Sequence, residues 1–227
     1  MQNQQGQPPD TLQNDGNERT PRTRTKRRPT EVKYLTAEEI SALFGVITSV
    51  RDQAIFRVTY HRGLRASEPG LLQLADYRIS EGRLFVHRLK GSKSGEYLLV
   101  DVERAALDAW LAIRGTAPGP LVPSKRRRGI SRWRVDDLMK QYCALAGIAP
   151  DKAHCHSLKH SSGTHFYELV GDIAATQDHL GHRNIQNTMI YVDISNRRRD
   201  KFAKQILDWR RNIIANEGTL QYGHFVV

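Results

Sequence analysis

The chain has 227 residues with 35 Lys+Arg against 24 Asp+Glu, a formal net charge of +11 and an isoelectric point of about 9.9. With 39% hydrophobic and 26% charged residues and a mean hydropathy of −0.57, it has the composition of a globular protein large enough to bury a core, which argues against a disordered or membrane class. No apolar run approaches the roughly 18 residues of a membrane span, and the Gln- and Asn-rich amino terminus is no signal peptide, so a cytoplasmic protein with no membrane partner is expected. Cys143 and Cys155 are too few for a disulfide framework or a zinc ribbon, which agrees with a reducing compartment. The cationic excess favours a polyanionic partner, of which nucleic acid is the commonest.

Residues 1–33 carry seven Lys+Arg against four Asp+Glu and almost no large apolar side chains, ending in the basic run RTPRTRTKRRP at 19–29. That composition predicts a disordered basic arm. Order is expected from residue 34. Thr36 and Glu39 form a capping box ahead of Ile40, Leu43, Phe44 and Ile47 at helical spacing. A second helix carries Ala54, Ile55 and Val58 up to Gly63, and a short third helix is predicted over Ser67 to Leu74, with Pro69 tolerated in its first turn. RLFVHR from Arg83 and EYLLVD from Glu96 alternate with period two around the turn KGSKSG, a hairpin with a basic tip. Helices are predicted at 103–113, 132–146, 157–170, 172–179, 186–194 and 199–214, separated by loops such as GTAPGPLVPS. The fold class is therefore mainly α with a small antiparallel β-sheet (α+β).

Histidine is unevenly placed: His154, His156, His160, His165, His179 and His182 are six of the nine, within 29 residues. His156 and His160 share a helix face, yet no glutamate follows the first histidine and no carboxylate completes a metal-ligand set. An anion site fits better, with Lys159 three residues after His156 on the same face. Singly, each candidate has a bland reading: Arg65 as a surface arginine, Lys90 and Lys93 as solvated turn residues, His182 as a helix-terminus histidine, Tyr191 as a core tyrosine with a wet hydroxyl. Trp110, Trp133 and Trp209 read as core or interface.

In order, GLRASE at 63–68, KGSK at 90–93, HSLKH at 156–160, LGH at 180–182 and Tyr191 resemble the tyrosine recombinases, the phage integrase family. The resemblance runs over nearly all of residues 34–200, and nine positions from His182 to Tyr191 is the family spacing. It implies a catalytic domain over 34–227 that cleaves and rejoins DNA at specific sites. In that reaction a tyrosine attacks a DNA phosphate, forming a 3′-phosphotyrosyl bond and releasing a 5′-hydroxyl. By resemblance Tyr191 is the nucleophile and Arg65 clamps the non-bridging oxygens. Lys90 is the general acid for the 5′-oxygen, with Lys93 a less favoured substitute. His156 assists proton transfer at the nucleophile, and His182 hydrogen-bonds the phosphate. Glu68 and His160 are expected to stand behind these groups, with His160 and His165 supporting the helix of His156. Lys93, Arg126, Arg127, Arg128 and Arg183 are expected on the DNA backbone.

The resemblance implies no metal and no other cofactor. Its implied partner is double-stranded DNA, on which four protomers assemble from a free monomer or dimer. One departure stands out: Lys159 occupies the place of the second family arginine, keeping the charge without the bidentate fork. Only 33 residues precede the first helix, so no separate core-binding domain is expected. This compact layout, with HRLKGS and LGHRNI, is similar to the fimbrial-switch DNA invertases. The alternatives are a catalytically weak DNA-binding regulator and a type IB topoisomerase-like enzyme.

Overall fold

The computed structural model describes residues 32–195 and, beyond them, residues 203, 206, 207 and 209–211. The expected arm falls outside this range except for Val32 and Lys33, whose ammonium pairs with Asp151 at 3.1 Å. Residues 212–227 also lie outside it, and the described residues within 199–214 are helical.

Helix α1 (Ala37–Val46) starts at the expected capping box: Glu39 N donates to Thr36 Oγ1 at 3.3 Å, and Thr36 N donates to Glu39 Oε2 at 2.8 Å. Helix α2 (Val50–His61) is capped by Ser49 and serves two cores. Ile55 and Phe56 join Leu43, Val135, Met139 and Leu158 in one, and Ala54 and Val58 join Leu84, Val86, Leu107 and Leu121 in the other. The hydrophobic stripe of α2 is thus spread over two flanks, which explains its weak one-sided pattern.

The sheet has three antiparallel strands, β1 (Tyr77–Arg78), β2 (Arg83–Val86) and β3 (Gly95–Leu98), with Leu84 opposite Tyr97 and Val86 opposite Gly95. Leu84 and Val86 point into the core while Phe85 is exposed, so the expected alternation holds, and two-residue β1 is an addition to it. Helices α3 (Asp101–Arg114), α4 (Arg132–Leu145), α5 (Cys155–Val170) and α6 (Ile173–His179) follow close to their expected bounds. The expected helix at 186–194 is a 3-10 turn, Ile185–Asn187, followed by helical residues 189–195. Among the described residues no helix is long and apolar enough to cross a membrane.

The expected helix from Ser67 to Leu74 does not form. Two 3-10 turns, Pro69–Leu71 and Leu74–Asp76, stand there instead. The backbone is drawn to the following loop, with Leu74 N donating to Gly119 O and Leu121 N to Leu72 O. Gly70 lies so close to the 129–130 backbone that an added Cβ would sit 2.1 Å from Ile130 O. Pairing across the chain outweighs local helix preference here.

Trp110 behaves as expected, its indole N–H donating to Leu121 O inside a partly buried setting. Trp133 and Trp209 do not lie in a core: they are 75% and 62% exposed.

Candidate active site

Three segments are pinned together by the backbone. After α2 the chain turns at Gly63, whose φ of +55° suits glycine. Leu89 to Ser92 form a tight hairpin turn closed by Ser92 N donating to Leu89 O, with positive φ at both Lys90 (54°) and Gly91 (70°), as a type I′ turn requires. A non-glycine residue in that region is strained by about 1 kcal/mol, and here it is the candidate general acid. The hairpin tip docks on the turn after α6, Lys93 N donating to Gly181 O at 2.9 Å. A Cβ on Gly181 would lie 2.6 Å from Lys93 O, so glycine permits that approach.

Glu68 organises the arginine side of the site. Its fully buried carboxylate accepts from Arg65 N (2.8 Å), Arg65 Nη1 (2.9 Å) and Leu89 N (3.0 Å), and pairs with Arg88 Nη1 at 3.5 Å. Burial pushes its pKa up, but the N–H groups of Arg65 and Leu89, the Arg65 guanidinium and Arg88 together hold it below the usual carboxylate value. Arg65 also donates to Ser92 Oγ at 3.0 Å, tying it to the hairpin tip.

Helix α5 supplies the histidines. His154 caps it, its Nδ1 accepting from Ser157 N at 3.1 Å, which sets His156, Lys159 and His160 along the first turns. His156 is exposed, and its ring meets that of His160 edge-on at 4.3 Å. His160 Nδ1 lies 3.3 Å from the Tyr191 hydroxyl. Lys159 is only 3% exposed and donates to Gly63 O at 2.7 Å, with Leu180 O at 3.5 Å. Burial first, then Arg88 and Arg65, bring its pKa down to about 7, against the pull of Glu68. His182 engages Thr188 Oγ1 through Nδ1 at 3.0 Å, which leaves Nε2 for a ligand.

Tyr191 is buried, its ring lying on Gly163 of α5, where a Cβ would come 2.4 Å from Tyr191 Cζ. Burial raises the phenol pKa, and Arg65 draws it down. Arg65, Lys90, His156, Lys159, His160, His182, Arg183 and Tyr191 line one cleft of about 570 Å³. The imidazoles in it are held neutral. Burial leads in each case, with surrounding cations adding, to bring His160 to about 3 and His182 to about 4 and to lower His156. A cleft crowded with cations, in which imidazoles cannot afford a further charge, is built for an anion.

Not every expected residue joins the cleft. Arg126, Arg127 and Arg128 sit exposed in the hairpin closed by the Pro123–Gly129 bridge and do not line it. Lys93 is exposed and docks through its backbone, outside the lining. His165 lies behind the site, its Nδ1 2.8 Å from the Tyr60 hydroxyl. Among the described residues no group of three or more His, Cys, Asp or Glu is disposed to hold a metal.

Other contributors lie outside the motifs. Arg88, with its side chain wholly buried, donates to Gly63 O, Arg62 O and His179 O. The signal was present: Leu84, Val86 and Arg88 share the inward parity of the hairpin. Trp133 lines a second cleft of about 630 Å³ with Arg132 and Lys140, sharing Arg65, Lys90 and His156 with the first. Gly163 carried no signal, because its role is to leave room for a residue 28 positions on.

The model of the phage integrase family matches residues 33–198. The type 1 fimbriae regulatory protein FimE of Escherichia coli (strain K12) is 32% identical over 194 residues, covering 82% of this chain and 94% of FimE. Tyrosine recombinase XerD of Xanthomonas campestris pv. campestris is 33% identical over 177 residues, covering 70% of this chain and 54% of XerD. The crystal structure of XerA recombinase superposes with a TM-score of 0.64 at 27% identity, over 72% of this chain and 61% of that one. This chain thus spans nearly all of FimE and between half and two thirds of these Xer relatives.

Proposed function

This chain belongs to the phage integrase family, and from that membership we propose that it is a site-specific DNA recombinase that cleaves and rejoins double-stranded DNA through a 3′-phosphotyrosyl intermediate. The observation that carries the reading is the convergence of the Tyr191 hydroxyl with Arg65, Lys90, His156, Lys159 and His182 around one cleft. Groups that gather in this way from five separate stretches of chain serve a common ligand, and a phosphodiester matches their charge.

In this reading Arg65 and His182 Nε2 hold the non-bridging oxygens, and Lys90 protonates the departing 5′-oxygen. Lys159 supplies charge from beneath, and Tyr191 Oη attacks in line. Arg183 and the Arg132, Trp133 and Lys140 rim of the second cleft extend the DNA path, with Arg126–Arg128 on the backbone further out. Reciprocal exchange needs four protomers on two DNA sites, assembling from a free monomer or dimer. The buried free thiols Cys143 and Cys155 suit a cytoplasmic setting.

The test uses a library of nicked duplexes with a randomised core between inverted repeats. Wild type is expected to form a covalent protein–DNA adduct that survives denaturing electrophoresis, and Tyr191→Phe to form none. An adduct in Tyr191→Phe, or none in wild type, overturns the reading. Gly163→Ala is a second prediction: the methyl group has no room unless Tyr191 shifts, and a displacement near 1 Å costs on the order of 10²-fold in rate. Single-turnover adduct formation should fall accordingly while the circular dichroism spectrum stays unchanged, and an undiminished rate would show that the phenol does not react from this seat.

A further inference from the structure

We infer that His160 accepts the Tyr191 phenol proton during attack, in place of His156. The inference rests on the recombinase reading above and changes which residue performs one of its steps. Among the described residues His160 is the hydrogen-bonding partner of the Tyr191 hydroxyl, through Nδ1 at 3.3 Å. That distance is long for a formed bond and ordinary for a catalytic pair before its substrate arrives. His156 stands one turn earlier on α5, exposed, and edge-on to the ring of His160 rather than against the phenol.

An acceptor needs a free lone pair, and the surroundings of His160 provide it. Burial first, then His156, Lys159, His154 and His182, keep its imidazole neutral. His154, His156 and Lys159 face it from its own helix, His182 from the turn after α6, and Tyr191 from the helical residues 189–195. With the phenol donating to Nδ1, the ring proton resides on Nε2. A scissile phosphate held by Arg65, Lys90 and His182 brings a negative charge among these cations and raises the basicity of His160. Proton acceptance is therefore coupled to DNA being in place.

The step balances. A lone pair of Tyr191 Oη forms the bond to phosphorus as its proton passes to His160 Nδ1. The bond from phosphorus to the 5′-oxygen breaks with its electron pair on oxygen, which takes a proton from Lys90. Rejoining runs the same transfers in reverse.

The experiment replaces Tyr191 with a ring-fluorinated tyrosine, a more acidic phenol that depends less on a base, in wild type, His160→Ala, His160→Gln and His156→Ala. Single-turnover adduct formation is followed on the nicked duplex that wild type selects from the randomised library. Both His160 variants are expected to slow the step by about 10²-fold, and fluorination to restore at least about tenfold of that loss, whereas His156→Ala gains nothing from it. His160→Gln keeps a hydrogen bond and most of the volume, so it carries the comparison where alanine disturbs folding. Restoration in His156→Ala equal to that in the His160 variants, or none in the His160 variants, overturns the inference and leaves the recombinase reading standing. Absence of any adduct from wild type overturns both.

Discussion

Glu68→Ala is expected to lower the free energy of unfolding by about 3–5 kcal/mol, because it leaves buried guanidinium charge without its counter-charge. The side chain of Arg88 is wholly buried, and with Glu68 gone its remaining hydrogen-bond partners are the neutral carbonyls of Gly63, Arg62 and His179, beside the Tyr97 ring 5.9 Å from its guanidinium. Arg88 Nε already lacks a hydrogen-bond acceptor, so this network has no slack to absorb a further loss. Leu89 N and Arg65 N lose their acceptors as well. Glu68→Gln keeps one acceptor oxygen but turns an NH₂ toward these donors, for a smaller loss of about 2 kcal/mol. Urea midpoints read both effects, provided the slope with denaturant is unchanged.

The same carboxylate sets part of the acid limb. Its folded pKa lies below its unfolded value, so its contribution is complete above the ordinary carboxylate range and is lost as pH falls through the depressed folded value. Glu68→Gln should flatten that limb. Covalent adduct formation should fall by about 10²-fold in the alanine variant even where it is folded, since Arg65 is aimed by this carboxylate. A midpoint shift within the roughly 0.5 kcal/mol of an ordinary surface change would show that something other than Glu68 holds the two arginines.

Much of this architecture is legible in the chain because its signals are local. The capping box at Thr36 and Glu39, the period-two strands about KGSK and the helical periodicities each depend on residues within one or two turns of one another. The failure at 67–74 has the opposite character: the fate of that stretch is settled by Gly119 and Leu121, nearly fifty residues away, and by the backbone of Ile130. Trp133 stays out of the core for a related reason. Apolar periodicity places Val135, Leu138 and Met139 inward, and a tryptophan off that stripe lies outside whatever its hydrophobicity.

The candidate site divides in the same way. Motif spacing brings Arg65, Lys90, His156, Lys159, His182 and Tyr191 into view as a set, and one cleft contains them all. Spacing is silent on which atom faces which. Whether His156 or His160 meets the phenol depends on the angle at which the 189–195 helix crosses α5, a tertiary quantity fixed in part by the absent side chain at Gly163. Arg88 is an intermediate case, since strand parity marks it as inward but only three dimensions reveal that it knits α2, the hairpin and α6 together.

Lys159→Met is expected to make the protein more stable and less active, two effects of opposite sign from one ammonium. Lys159 lies 3% exposed beside Arg88 and Arg65, and its pKa has fallen to about 7. Between that value and the ordinary lysine range the unfolded chain binds a proton that the native state does not, so stability rises with pH across this window. Below about pH 7 the native state carries the buried charge and bears the whole penalty. Methionine matches the unbranched stem; of the two carbonyls it would desert, Gly63 O still receives Arg88 Nη1 at 3.0 Å, and only the long 3.5 Å contact to Leu180 O is lost. Replacing a buried charge by an apolar side chain under these conditions stabilises by about 1–4 kcal/mol, and the gain should be largest below pH 7 and fade toward pH 10. Loss of one charge-assisted hydrogen bond in the transition state, about 1–3 kcal/mol, lowers single-turnover adduct formation by roughly ten- to a hundredfold. Thermal unfolding at pH 6 and pH 9, set beside the adduct rate, measures both. A methionine variant less stable than wild type at pH 6 would mean that the ammonium is retained for the fold. The opposite outcome marks it as a charge that the core does not require, as the proposed role at a scissile phosphate predicts.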